Sequence, residues 1–174
     1  MAELRHGAAV ETARLPDGTA IRLRDIAPGD EGLLQELLRR MSPDDVRLRF
    51  FAPIRELSPA LAFRLSHPDP GREIAIAALP ETGADFLGVA RLFADETRRR
   101  GEYALAVRTD MKGRGIGYLL LGRVLARAKA MGMTEAWGDV LRENETMLQM
   151  AREHGFTIED HPEDAALARV RKRL

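Results

Sequence analysis

The sequence predicts an α/β fold of the α+β kind, built on a mixed, mostly antiparallel central sheet. Three observations carry that expectation. Strand-like stretches at Glu73 to Leu79, Phe86 to Phe93 and Glu102 to Val107 are joined by the short turns 81–85 and 94–101, which implies an antiparallel meander. A glycine-rich turn, Lys112-Gly113-Arg114-Gly115-Ile116-Gly117, then opens an apolar helix. The next strand, Glu135 to Val140, is reached across that helix, so it is expected parallel to the strand before the turn.

The 174 residues suit one domain with a substantial core. Residues 1–18 are expected to form an N-terminal extension with a possible hairpin strand, and 19–174 the single domain. Residues 1–10 carry no pattern and are expected to fray. Glu11 to Leu15, Pro16-Asp17-Gly18 and Thr19 to Asp25 read as strand, turn and strand. After Pro28-Gly29-Asp30, the apolar stripe Leu33, Leu34, Leu37 and Leu38 marks a first helix. Ser42-Pro43-Asp44-Asp45 starts a second, with Ser as cap, Pro in the first turn and acids facing the dipole; Ser58-Pro59 repeats the signal for a third. Phe50-Phe51-Ala52-Pro53 between them is expected to be a loop corner that packs into the core rather than against substrate. The helix after the glycine turn should run from Gly115 or Ile116 to about Met131 and stop at Gly132. A further helix spans Asn144 to Glu153, and Phe156 to Glu159 with Leu167 to Arg171 form a closing strand pair.

Composition excludes several classes of function. Lys and Arg number 27 against 27 for Asp and Glu, so no basic excess asks for nucleic acid. The absence of cysteine excludes disulfide scaffolds and thiolate metal sites. His6, His67, His154 and His161 are scattered without ligand spacing, so no metal is expected. No apolar run reaches membrane-spanning length and the N-terminus lacks an apolar signal core, which gives a cytoplasmic expectation with no membrane partner.

The glycine turn carries the chemistry. Alternate glycines leave no Cβ in the way of a ligand, and the helix behind them aims unpaired N–H groups and a positive dipole end at one spot. Together these make an anion site whose usual guest is a phosphate. A Walker loop needs Lys then Ser or Thr after its last glycine, and Tyr118 follows Gly117 here. A dinucleotide fingerprint needs a third glycine where Tyr118 or Leu120 stands. Taken alone, the turn also fits a plain strand-to-helix junction with glycines for packing.

Lys112-Gly113-Arg114-Gly115-Ile116-Gly117 resembles the acyl-coenzyme A pyrophosphate loop of the GNAT superfamily of N-acyltransferases, with Lys112 where Arg or Gln is commoner. Val140-Leu141-Arg142-Glu143-Asn144, with Met147, Met150 and Gly155-Phe156, is similar to that family's strand-Asn-helix-Gly-Phe segment. The resemblance covers roughly residues 19 to 172. Ser42 to Phe51, Glu56-Leu57-Ser58 and Gly88-Val89-Ala90-Arg91 resemble the acetyltransferase domain of bacterial Pat-type protein lysine acetyltransferases, in which this domain is often fused to a regulatory one.

The resemblance implies a GNAT-like sheet with helices on both faces and with strands 4 and 5 of the family's count splayed, here Glu102 to Val107 and Glu135 to Val140. It implies acetyl-CoA as co-substrate and no metal. The strand before the loop is expected to bulge, and the main chain of Leu105, Ala106 and Val107 to bond the pantetheine arm. N–H groups from Gly113, Arg114, Gly115, Ile116, Gly117 and Tyr118 would hold the pyrophosphate, with Lys112 and Arg114 adding charge. Glu102 matches the family's general base, with Glu73 in reserve. Asn144 would bond the pantetheine or cap the following helix. The Tyr that many relatives place seven residues after the Asn is replaced by Ala151, which leaves the leaving thiolate without that acid. The implied function is acetyl transfer to a primary amine, with a protein lysine as acceptor, by a monomer or homodimer. A small-molecule amine acetyltransferase and a non-catalytic acyl-CoA-sensing module remain as alternatives.

Overall fold

Among the described residues all neighbouring strands but one pair run antiparallel in a single sheet of eight, ordered β1-β2-β3-β4-β5-β6-β8-β7. A computed structural model describes residues 9–174; the fraying expected of residues 1–8 lies outside the described residues. The strands are β1 (Glu11–Arg14), β2 (Ala20–Asp25), β3 (Glu73–Pro80), β4 (Gly88–Ala94), β5 (Arg100–Val107), β6 (Glu135–Leu141), β7 (Thr157–Asp160) and β8 (Leu167–Arg173). The helices are α1 (Glu31–Arg39), α2 (Pro43–Phe50), α3 (Pro59–Ser66), α4 (Ile116–Ala130) and α5 (Glu145–Glu153). β1 pairs with β2 as the sheet's edge, closed by a turn with Gly18 at φ 88°.

Local chemistry sets the short helices. Ser42 Oγ accepts the Asp45 N–H at 3.1 Å and Ser58 Oγ accepts the Leu61 N–H at 3.2 Å, with Pro43 and Pro59 in the first turns. Each cap contributes about 1 kcal/mol. Strand alternation then sorts the core. Ile74 and Ile76 of β3 face α4 and α5 with Leu92, Leu105, Leu120, Leu121 and Val124. Ala75 and Ala77 face the opposite way, toward Leu34, Leu37 and Leu38 of α1 and Val46 of α2. Alanines on that face let the short helices approach closely. The helices therefore cover both faces of the sheet, as expected of the fold.

The expected closing pair β7–β8 is present, with β8 inserted between β6 and β7, pairing Glu135 to Leu141 on one side and Thr157 to Asp160 on the other. Two expectations need correction. β5 does not bulge against β4, since their register is unbroken from Gly88–Val107 to Ala94–Gly101. Phe50 ends α2 and packs inward, but Phe51, the left-handed cap at φ 60°, is 46% exposed and lines the central cleft. Among the described residues no helix is long and apolar enough to cross a membrane.

Candidate active site

The one parallel contact is brief. β5 and β6 pair at Arg100–Glu135, Gly101–Ala136 and Glu102–Trp137, and there the ladder ends. Beyond it β5 stays with β4 as far as Val107, and β6 stays with β8 as far as Leu141. The next position in register would set Tyr103 opposite Gly138, and the Tyr103 ring rests on Gly138 instead: a Cβ at 138 would come 2.8 Å from it. The strands splay from that point into a cleft of about 240 Å³.

The splay exposes a defined set of main-chain groups. The Arg108 N–H donates to the Leu87 carbonyl at 2.9 Å and the Asp95 N–H donates to the Arg100 carbonyl at 2.8 Å. Antiparallel pairs alternate between bonded and non-bonded. That alternation turns the main chain of Tyr103, Leu105 and Val107 toward the open side. It turns the groups of Ala106 onto Val89, so Ala106 differs from its expected part and borders the cleft as a small side chain.

The glycine turn meets the cleft at the head of α4. Gly113 and Gly115 take φ 76° and 93°, left-handed values that only glycine adopts at little cost. Gly115 is the N-cap and has no side chain to offer, and the first helical bond is Leu119 N–H to the Gly115 carbonyl at 3.0 Å. Among the described residues the N–H groups from Gly113 through Tyr118 find no acceptor outside the helix, and the helix supplies none to its first turn. Gly117 lies against Leu105 and Met150, where a Cβ would come within 3.2 Å of the Leu105 side chain and 3.1 Å of the Met150 methyl.

The charged residues of the turn are engaged elsewhere. Lys112 Nζ donates to Asp45 Oδ1 at 2.6 Å, and Thr109 Oγ1 donates to Asp45 Oδ2 at 2.6 Å, tying α2 to the turn. The Arg114 side chain donates to Asp17 and Thr19 of the β1–β2 hairpin at 2.9 Å and does not line the cleft, so the charge expected of it is engaged at the hairpin. Asn144 lines the cleft and caps α5, its Oδ1 accepting the Met147 N–H at 3.2 Å. Ala151 is fully buried in the α5 packing.

Glu102 stands at the end of the cleft where β5 and β6 part, with no side-chain hydrogen bond or ion pair among the described residues. Burial pushes its carboxyl up, Asp139 on β6 adds to that, and Arg49 and Arg169 oppose it. Asp139 is held by Arg169 at 2.9 and 3.1 Å. Glu73, the reserve base, shares a row with Glu102 through Phe93, two strands away and so roughly 10 Å off. The sequence reading missed Arg49, Tyr103 and Asp139 as cleft residues. Only a charge inside an apolar strand could have singled out Asp139.

The uncommitted amides and the apolar slot suit a ligand that carries a diphosphate and an amide-bearing arm. Comparisons with known proteins give the family. Residues 34–156 match the Acetyltransferase (GNAT) family. An acetyltransferase of Pseudomonas aeruginosa is 25% identical over 153 residues, 87% of this chain and 82% of its own. The GNAT domain of S. lividans PAT superposes with a TM-score of 0.88 at 25% identity, over 99% of this chain and 100% of that one. Spermidine N-acetyltransferase from Vibrio cholerae, in complex with CoA and spermine, shares the fold at 17% identity and a TM-score of 0.67, over 88% of this chain and 95% of that one. The family match takes in β3 through α5, the elements that build the cleft, and on that ground the chain belongs to the GNAT family of acetyltransferases, with the architecture of its Pat-type domain.

Proposed function

We propose that the protein is an acetyl-CoA-dependent N-acetyltransferase that uses Glu102 as general base, with a protein lysine as acceptor. One observation carries the reading: a run of amides without acceptors from Gly113 to Tyr118 and an unpaired carboxylate at Glu102 lie in one cleft. Bound acetyl-CoA supplies an activated acetyl group as its thioester. The chain's own part is to grip, orient and move a proton. The α4 amides and the dipole behind them hold the diphosphate. Leu105 and Val107, unpaired on their open side, hold the pantetheine amides. Leu48, Val140 and Met147 keep the slot apolar.

Glu102 takes the proton that the acceptor ammonium must lose before its nitrogen can attack. A carboxyl raised by burial is a better base at neutral pH than an ordinary one. Phe51, 46% exposed on the cleft, and Phe93, 44% exposed and the register partner of Glu102, leave apolar surface of the kind that a docked protein segment covers. The test is acetyl transfer to protein and small-amine substrates, alongside Glu102→Gln. Equal rates for the two enzymes end the base assignment, and transfer to free amines alone ends the protein acceptor.

A further inference from the structure

A second cavity, of about 200 Å³, opens beside the cleft and shares Arg49, Glu102 and Ala104 with it. The sheet register builds its floor. Glu73, Phe93 and Glu102 form one row across β3, β4 and β5, and Ala75, Arg91 and Ala104 form the next row on the same face. Two residues along a strand separate the rows by about 7 Å. The alanines on either side of Arg91 leave space above the sheet. Arg49 of α2 reaches in from the helical side, and Arg64 of α3 stands at the mouth.

The charges here are not neutralised by contact. Arg49 stacks on Phe50 at 4.7 Å and has no carboxylate within ion-pair distance among the described residues. Arg91 donates one N–H to the Leu65 carbonyl and leaves the rest of its fork uncommitted. Burial pushes the Arg91 guanidinium down to about 10, with Arg49 repelling it and Glu73 opposing the shift. Half-buried cations without partners are costly, and a carboxylate brought by a ligand would offset that cost. The guanidinium fork is matched to a carboxylate. The charge count agrees. Three arginines against Glu73 and Glu102 leave one positive charge in excess. A bare ammonium would add to that excess, whereas an amine that brings its own carboxylate leaves it unchanged.

We propose that the acceptor carries a carboxylate close to its reacting amine, and that Arg49 and Arg91 hold that carboxylate while Glu102 faces the amine. The assignment rests on the N-acetyltransferase reading of the cleft. The carboxylate belongs to an amino acid in either of two settings, free or as an acidic neighbour of a protein lysine. A polyamine, all cation, is a poor acceptor for this cavity.

The test uses matched pairs that differ only in the acid: Nα-acetyl-L-lysine against Nα-acetyl-L-lysinamide, and a blocked peptide with aspartate beside its lysine against the same peptide with asparagine. Release of coenzyme A thiol gives kcat and KM. Binding is read separately with coenzyme A present, from the fluorescence of Trp137, the sole tryptophan and the register partner of Glu102. The acid member of one pair is expected to win by at least about tenfold in kcat/KM, and which pair responds tells the free acceptor from the protein one. Arg49→Gln and, separately, Arg91→Met are expected to bring that ratio near one through the acceptor KM; Arg91 lies outside the cleft, so its variant leaves the KM for acetyl-CoA unchanged. Arg49→Gln guards against loss of fold in Arg91→Met. Equal rates and equal binding within both pairs overturn the proposal and leave acetyl transfer standing. No turnover, but saturable binding of the acid members alone, upholds the carboxylate site and removes the transferase reading. No turnover and no preference in binding overturns the proposal.

Discussion

The aromatic ring of Tyr103 lies on the bare α-carbon of Gly138, at the position where the β5–β6 ladder would have continued. Its hydroxyl is buried without a hydrogen-bond partner among the described residues, and burial pushes the phenol up. A wedge of this kind holds two strands apart without any bulge. Gly138→Ala is expected to cost about 1–3 kcal/mol, the usual range for forcing a methyl into a packed site. Urea unfolding measures it. Coenzyme A affinity should fall in the same variant, because the ring has to move within the slot.

Glu102→Gln should separate activity from stability. A carboxyl raised in the folded state holds its proton more tightly there, so ionisation weakens the fold. That cost is absent below the ordinary value of 4.5 and complete above the raised one. At pH 7 the variant is therefore expected to be at least as stable as the parent, while kcat/KM falls about 100-fold or more. The parent's kcat/KM should drop on the acid side with a midpoint above 4.5, and the variant's should lose that limb. Thermal melts and a pH–rate profile check the two halves.

Asp45→Asn has effects of opposite sign. Burial pushes Asp45 up, but the hydrogen bonds from Lys112 and Thr109 outweigh it and hold the carboxyl below 3.8. Its stabilising contribution is present above that ordinary value and lost as pH falls through the lowered one. The variant should lose about 1–3 kcal/mol at pH 7. It also frees Lys112 and removes a negative charge near the α4 amides. Coenzyme A should then bind up to about fivefold tighter, the worth of one partly exposed charge pair. Calorimetric titration against denaturant melts reads both.

Gly113→Ala and Gly115→Ala should differ in stability. Nothing lies within 4 Å of a Cβ at Gly113, so the cost there is the left-handed backbone alone, about 1–2 kcal/mol. A Cβ at Gly115 would meet Pro16 Cδ at 2.9 Å as well, so this variant should melt at the lower temperature. Both should raise the KM for acetyl-CoA, since both re-aim the amides of the turn.

What the sequence made legible was local. Ser42 and Ser58 announce helices because a cap bonds three residues away, and the glycine turn announces an anion site because its donors are consecutive. The meander followed from the short turns. What stayed hidden depended on distant partners. Nothing near Arg114 says that Asp17 holds it, across 97 positions of chain. Nothing in Leu167 to Arg171 says that this strand slips between β6 and β7. Arg49, Arg64 and Arg91 come from a helix, another helix and a strand, and meet only once the sheet has been covered. The lone sign was Arg91 itself, a charge in the middle of an apolar strand.

The brief parallel contact between β5 and β6 makes the sheet two panels, β1 to β5 and β6 to β8, sewn together by three rungs. A molecule lying in the gap touches both panels and acts as the missing stitching. Occupancy should therefore tighten a seam as well as fill a site. Hydrogen exchange would register this as slowed exchange of the Leu105 and Val107 amides, while the closed ladder between β3 and β4 stays as it was.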